Sequence, residues 1–412
     1  PPEPPPPVCP KCGSDKIGDR HTLTAYSMYG EGIKDDPDFK QKRQNGKCVH
    51  PDTLIQTAEG RIRIGDLTYG QPAGEFLPIQ GGLEVRGPDG FVPAIETYEG
   101  GEKPLFHVVT RRGVVTCTEN HLFAMADGTL RSIKDGLSAG DALRELEPLT
   151  DDVRPFPTLL HKAVPTLPPL QIPLSNDTAY FAGLHAGDGA SNMSSVSITH
   201  GPVGKVDDLG TPYEVWQSIL VDACERIGLR PVRSVDHIDI GSRIMLRWME
   251  TLGLVHGARR TFRVPRWVLS AGREAALHYL GGLVDTDGYL TVGGDTSITT
   301  KDFVFGGQIA ELFRSVGCTS TVAPTWNKTY KRWYLKVSIK RREGVLLRPY
   351  MRNPGKVARV SSTDTAYDRW THDVLLITPA GEGRCVDLHL SDDRHLYLTN
   401  GLTTHNTTNF AL

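Results

Sequence analysis

The residue pattern predicts a multidomain chain in which an all-β domain is interrupted by an α+β block built from one unit used twice. Three observations carry this. Short β-branched runs punctuated by Gly and Asp fill residues 48–165, and strands return at Val374–Ile377, Cys385–Leu390 and His395–Leu398. Helical periodicity appears only between those stretches, in Thr178–Leu184, Tyr213–Leu229 and Arg273–Leu283. Within it, Phe181-Ala-Gly-Leu-His-Ala-Gly-Asp-Gly189 matches Leu280-Gly-Gly-Leu-Val-Asp-Thr-Asp-Gly288 at an offset of 99.

Residues 1–7 are almost all proline, too stiff and solvated for a core. Cys9-Pro-Lys-Cys12 then supplies half of a zinc-ribbon ligand set, for which His21, Cys48 and His50 are the nearby complements. No second Cys pair follows, so an unpaired knuckle is the plainer reading of these residues. The β texture of 48–165 includes Thr53–Ile55, Arg61–Ile64, Leu105–Thr110 and Gly113–Thr116. Prolines from Pro155 to Pro173 read as a linker into the helical block. The expected divisions are 1–47, 48–165, 166–360, 361–406 and 407–412.

Composition narrows the class. The 412 residues are 39% hydrophobic and 23% charged with a net charge of -2, the profile of a folded soluble chain. No apolar run is long enough to span a membrane, and no secretory leader is recognisable, so a cytoplasmic monomer is expected. The seven scattered cysteines read as reduced thiols. Charge is uneven, however. Between 300 and 360, thirteen Lys/Arg face only Asp302, Glu311 and Glu343, with Trp326, Tyr330, Trp333 and Tyr334 interleaved. Lys328, Lys331, Arg332, Lys336, Lys340, Arg341 and Arg342 are the candidates to contact nucleic acid.

Each repeat copy begins with a helix carrying small residues, Ala182, Gly183 and Gly187, then Gly281 and Gly282, which let two helices approach closely. Each helix ends in Asp-Gly, with the glycine suited to a left-handed cap. Side-by-side packing brings Asp188 and Asp287 together, and such a pair needs a counter-ion, for which Mg²⁺ is the natural choice. One Asp-Gly helix end is commonplace; two at this spacing, each followed by matching strands, are not. These motifs resemble those of LAGLIDADG homing endonucleases of the single-chain, two-motif kind. That resemblance implies a pseudo-twofold α+β domain, Asp188 and Asp287 as the metal-binding catalytic pair, and strands that form a saddle on double-stranded DNA. Ala186, His185 and Phe262 depart from the family pattern, Phe262 standing where intein-borne members carry Lys, so weakened or lost cleavage with DNA binding retained is the alternative outcome.

The flanking β residues have chemistry of their own. Cys48 is a strong nucleophile, and an Asn such as Asn406 can attack its own following carbonyl, with the preceding His405 placed to move protons. Thr118-Glu-Asn-His121 supplies a hydroxyl and an imidazole that can polarise one amide, although such a spacing alone is mostly chance. In this order they resemble an intein, a Hint-type splicing domain, over residues 48–406. Arg384-Cys-Val-Asp-Leu388, His395, Thr399-Asn-Gly401, Ile64-Gly-Asp-Leu67 and Ala139-Gly-Asp141 are similar to its further signatures. The resemblance implies cofactor-free splicing. Cys48 attacks the Lys47 carbonyl, Thr118 and His121 activate that amide, Thr407 receives the acyl group, and Asn406 cyclises with help from His405 and His395. Asp387 is the candidate to orient Cys48 or relay its proton, whereas Cys117 and Cys385 read as small buried residues. Joining Lys47 to Thr407 creates Arg43-Gln-Asn-Gly-Lys-Thr-Thr-Asn-Phe-Ala-Leu, which resembles the finger helix of family A DNA polymerases and points to a bacterial or phage host protein. The rival classes are a free-standing DNA-binding regulator and a zinc-dependent nucleic-acid enzyme.

Overall fold

The computed structural model describes residues 47–147, 149–161, 170–191, 195–241, 249–254, 262–360 and 373–406. Cys9 and Cys12, the candidate zinc ligands, and Thr407 lie outside the described residues, as do all of 1–46 and 407–412. In chain order the first region supplies β1 (Leu54–Thr57), β2 (Gly60–Arg63), β3 (Phe76–Gly87), β4 (Gly90–Thr110), β5 (Val114–Cys117), β6 (Leu122–Ala124) and β7 (Leu130–Arg131). The proline-rich stretch read as a linker holds a hairpin, β8 (Leu159–His161) with β9 (Leu170–Ile172).

The helical block then runs α1 (Asn176–Asp188), β10 (Gly189–Ser191), β11 (Ser195–Thr199), α2 (Tyr213–Arg226), β12 (Val232–Arg233), β13 (His237–Gly241) and α3 (Arg266–Ala271). It continues through α4 (Arg273–Asp287), β14 (Tyr289–Leu290), β15 (Thr296–Thr300), α5 (Phe303–Ser315), β16 (Ser320–Asn327), β17 (Arg332–Ile339), α6 (Arg341–Leu347) and α7 (Pro354–Arg359). The chain returns as β18 (Val374–Leu390), β19 (Leu396–Thr399) and β20 (Leu402–His405).

The terminal strands re-enter the first sheet, whose order is β18-β4-β3-β1-β19-β20-β6-β7, with β2 on β1 and β5 on β4. An all-β domain interrupted by an α+β insertion is therefore the observed architecture. The pairing of β4 with β18 is longer than the sequence suggests, because local turn signals sit inside continuous strands. Gly101 (φ 73°) and Gly381 (φ 90°) absorb irregularities rather than ending the strands.

Within the insertion each repeat has the expected helix, two strands and second helix, then two further strands that the motif comparison missed. The sheets β10-β11-β13-β12 and β14-β15-β17-β16 have the same order. Ser175 and Asp302 cap α1 and α5 by accepting from the backbone N–H of Thr178 and Phe305. One hydrophobic core surrounds α1 and α4 and takes in Leu54, Val109 and Val114 of the β domain; a second fills the β domain itself. Between them lies a buried ion network. Arg61 donates to Glu311 Oε1 and Asp151 Oδ1, both at 2.6 Å, and Arg314 donates to Glu311 Oε2 at 2.8 Å and to the Asn400 carbonyl at 2.8 Å.

Candidate functional site

The β domain brings the two ends of residues 48–406 to one strand. Val49 pairs with Val386 on β18 through two backbone hydrogen bonds of 2.9 and 2.8 Å, which sets Cys48 opposite Asp387. At the other end, Asn406 donates its backbone N–H to the His395 carbonyl at 2.8 Å and its Nδ2 to the Leu388 carbonyl at 2.9 Å. Both Cys48 and Asn406 are fully buried.

Around Cys48 the Thr118 hydroxyl lies within hydrogen-bonding distance of the backbone. The Cys48 N–H, which belongs to the Lys47–Cys48 amide, donates to Thr118 Oγ1 at 3.1 Å, and Thr118 N–H donates to the Cys48 carbonyl at 3.0 Å. His121 is buried, its ring edge-on to Phe123, and neither ring nitrogen has a partner among the described residues. Burial, then the Lys47 ammonium, push it down to about 3, so it stands neutral.

Asp387 accepts from the Tyr397 hydroxyl at 3.0 Å and from the Leu388 N–H at 2.8 Å, close to Cys48 rather than apart from it. Burial pushes the Cys48 thiol well up, and a hydrogen bond with Cys385 adds to this. Cys385 is buried, as expected, and lies against Cys48. It shares a cluster with Cys48, Tyr98 and Leu105, and a methyl at Gly100 would fall 2.6 Å from Cys48 Sγ and 2.7 Å from Cys385 Sγ. The only sequence signal for it was its place two residues before Asp387. Cys117 is a buried core residue, as expected.

At the far junction, β19 and β20 join through Asn400 (φ 46°) and Gly401 (φ 75°), a two-residue turn with both central φ positive. The Asn400 side chain fixes it by accepting from Leu54 N–H and donating to the Val114 carbonyl, both at 2.7 Å. His405 Nδ1 lies 2.6 Å from the Asn406 carbonyl oxygen. Burial, then Lys47, hold His405 down at about 3, so the neutral ring carries its proton on Nδ1 and donates it to that oxygen. The His395 ring lies 5.6 Å from that of His405.

The second cluster lies where α1 and α4 cross. A methyl at Gly183 would stand 2.0 Å from the Tyr279 carbonyl oxygen, and one at Gly282 would stand 2.1 Å from that of Tyr180. These reciprocal contacts are the pseudo-twofold packing expected of the small residues. The helix ends differ from expectation: Gly189 (φ −76°) and Gly288 (φ −72°) are extended, not left-handed. They are glycines for want of room, since a methyl would fall 2.2 Å from the His185 carbonyl oxygen and 2.4 Å from that of Val284.

Asp188 and Asp287 meet at this end. Burial and then Asp287 push Asp188 up to about 6, and burial also raises Asp287. Asp188 is partly buried and Asp287 exposed, and two hard carboxylates brought to one helix end in this way fit a divalent cation. Lys356 on α7, not anticipated, brings positive charge to the same end, donating to the Val284 and Thr286 carbonyls at 2.8 and 2.7 Å. It lies outside the repeat, so no motif marked it. Asp285, where the first copy has Ala186, accepts from the Tyr180 hydroxyl at 2.7 Å and the Arg352 N–H at 2.5 Å. His185 is buried inside α1, and Phe262 packs its ring 5.8 Å from Phe305.

The basic candidates divide. Lys328, Lys331, Arg332 and Lys336 are exposed on β17 and the β16–β17 turn. Lys340, Arg341 and Arg342 lie beyond the sheet at the start of α6, where Arg341 N–H donates to Asp295 Oδ1 at 3.2 Å. Trp326 and Trp333 pack on each other, centroids 5.3 Å apart, on the side of Leu335 and away from Lys336, which removes them from the basic face. Tyr334 shares the Lys336 face.

Among the described residues no helix is long and apolar enough to cross a membrane. No family model matches the chain. An iron–sulfur cluster assembly SufBD family protein from Mycobacterium leprae is 24% identical over 273 residues, which span 61% of this chain and 30% of that protein. The fold is similar to the gp41-1 intein (22% identity, 24% of this chain and 67% of that one, TM-score 0.20). It is also similar to a DnaB intein from Synechocystis sp. PCC 6803 (21% identity, 23% and 66%, TM-score 0.19). The structure of I-DmoI in complex with DNA and Ca matches at 14% identity, covering 44% of this chain and 95% of that one at a TM-score of 0.30.

Proposed function

We propose that residues 48–406 form a self-splicing intein carrying an inserted LAGLIDADG-type endonuclease. One observation carries the splicing reading: Cys48 and Asn406, at opposite ends of the segment, are buried against the same short stretch of β18, through the Val49–Val386 pairing and the Asn406–Leu388 hydrogen bond. Holding both junctions in one site makes each acyl transfer effectively intramolecular. Thr118 Oγ1 accepts from the N–H of the bond to be broken, and neutral His121 beside it is available to carry the proton released as Cys48 Sγ attacks the Lys47 carbonyl. Because the Cys48 thiol is protonated at rest, attack and proton removal go together. The Thr407 hydroxyl then takes the acyl group. Finally Asn406 Nδ2 attacks its own carbonyl carbon, whose oxygen His405 polarises, closing a succinimide as the bond to residue 407 breaks. The Lys47–Thr407 ester rearranges to an amide.

Intact-mass measurement of the expressed chain tests this. The expected result is an excised 48–406 species and a joined flank, with Cys48→Ala and Asn406→Ala each blocking ligation. Persistence of an uncleaved 45.2 kDa chain, unaffected by either substitution, would overturn it.

The insertion is read as a binder and cutter of double-stranded DNA through the basic face of β15 and β17. Asp188 and Asp287 would hold Mg²⁺, which supplies charge neutralisation at a scissile phosphate. The protein's own part is to hold the two carboxylates together by the Gly183 and Gly282 packing. Duplex binding without Mg²⁺-dependent cutting would identify the insertion as a degenerate nuclease. We read the host as a family A-like DNA polymerase from the joined residues 43–47 and 407–412, and a polymerase assay on the spliced full-length host checks that assignment.

A further inference from the structure

We propose that Glu96 and His389 form a charge-setting pair that fixes the protonation of His395 and thereby the pH at which the chain breaks after Asn406; this rests on the splicing reading above. The two residues are cross-strand partners on β4 and β18, and His389 Nδ1 lies 2.8 Å from Glu96 Oε2. His389 is 8% exposed, and its other ring face is turned to His395, with centroids 6.2 Å apart and planes 27° from parallel. The row continues to His405 at 5.6 Å and ends 2.6 Å from the Asn406 carbonyl oxygen. It is fixed at its middle by backbone. His395 sits at φ 53°, its N–H donating to the Asp392 carbonyl at 3.1 Å and its carbonyl accepting the Asn406 N–H at 2.8 Å. Four consecutive groups, Glu96, His389, His395 and His405, thus run from the side of the sheet to the bond that breaks.

The chemistry at that bond needs a neutral imidazole. As Asn406 Nδ2 forms its bond to the carbonyl carbon it loses one proton, and the nitrogen of residue 407 gains one as the peptide bond breaks. When the His389 ring, held 2.8 Å from the Glu96 carboxylate, carries a proton, its charge opposes a second cation on the stacked His395 ring and keeps that ring ready to accept a proton. The other charges facing His395 are Asp392 and Asp393 in the turn before it, which favour its protonation, and Lys47, which opposes it. Arg394 in the same turn is engaged by Asp392 and Asp89. Burial, followed by the His389 charge, leaves His395 below its ordinary value. His389 touches none of the reacting atoms and is a positioning residue.

The test uses the full chain in a Cys48→Ala background, following cleavage after Asn406 by intact mass from pH 5 to 9. His389→Gln removes the opposing cation, so the midpoint of cleavage against pH should rise by about half a unit. His389→Lys keeps a cation and should keep the midpoint; Glu96→Gln should shift it the same way as His389→Gln by a smaller amount. A loss of packing alone would lower the rate at every pH without moving the midpoint. Unchanged midpoints in both His389→Gln and Glu96→Gln, in chains that still cleave, overturn the inference. Absence of cleavage in every chain, the unsubstituted one included, overturns instead the splicing reading beneath it.

Discussion

The two halves of the insertion meet through matched glycines and extend sheets of the same strand order, yet the faces of those sheets carry different charge. Thr199 and Thr299 hold equivalent places; the first is opposite His237 and the second opposite Lys336. Ser197 is opposite Asp239, whereas Ser297 is opposite Ser338. His237 moreover sits between two carboxylates, 2.6 Å from Asp236 and 2.8 Å from Asp239. The packing that fixes the helix pair is matched in both copies, while among the described residues the paired sheet face carries Lys336 in one copy and His237 with Asp239 in the other. What a helix interface needs is set by backbone approach and tolerates little change, whereas an open sheet face is free to diverge.

The largest test of that comparison is at the crossing. Gly183→Ala and Gly282→Ala each force a methyl against a carbonyl oxygen of the partner helix and should each cost about 3 kcal/mol in denaturant unfolding of the insertion. A marked inequality between them would break the symmetry. Next, Asp285→Ala makes the second motif like the first and leaves the Tyr180 hydroxyl and Arg352 N–H without their acceptor. It should cost about 2 kcal/mol by the same measurement. The smallest effect is on the faces. Lys336→Ala should weaken duplex DNA binding about fivefold and flatten its salt dependence by about one charge, while His237→Ala changes neither. Equal losses from both would show that the two faces contribute alike.

The features that were legible in the sequence are those made by near neighbours in a helix or by a short motif. The glycines of Phe181–Gly189 and Leu280–Gly288 announced the helix pair because a helix face repeats every few residues. Thr118 and His121 were legible because one tight turn holds both beside Cys48. Cys385, His389 with Glu96, and Lys356 were not, since each reaches its place through pairings far apart in sequence. The Cys48–Cys385 contact follows from the Val49–Val386 bridge, and nothing local to either cysteine encodes that register. Trp326 and Trp333 make a similar point: composition interleaves aromatics with basic residues, but strand alternation decides which side each takes.

The buried Arg61 bears on how easily the insertion could be shed. The chain leaves and re-enters the β domain at neighbouring points, because Ala142 is bridged to Asp373 and Val374 N–H donates to the Asp141 carbonyl at 2.9 Å. A shortened protein joining those points would need only a tight connection. It would nevertheless expose or orphan the Arg61 guanidinium, whose two carboxylate partners, Asp151 and Glu311, go with the deleted segment. Trimming the chain therefore calls for replacing Arg61 along with the cut, as well as restoring a partner for the Asn400 carbonyl that Arg314 now occupies.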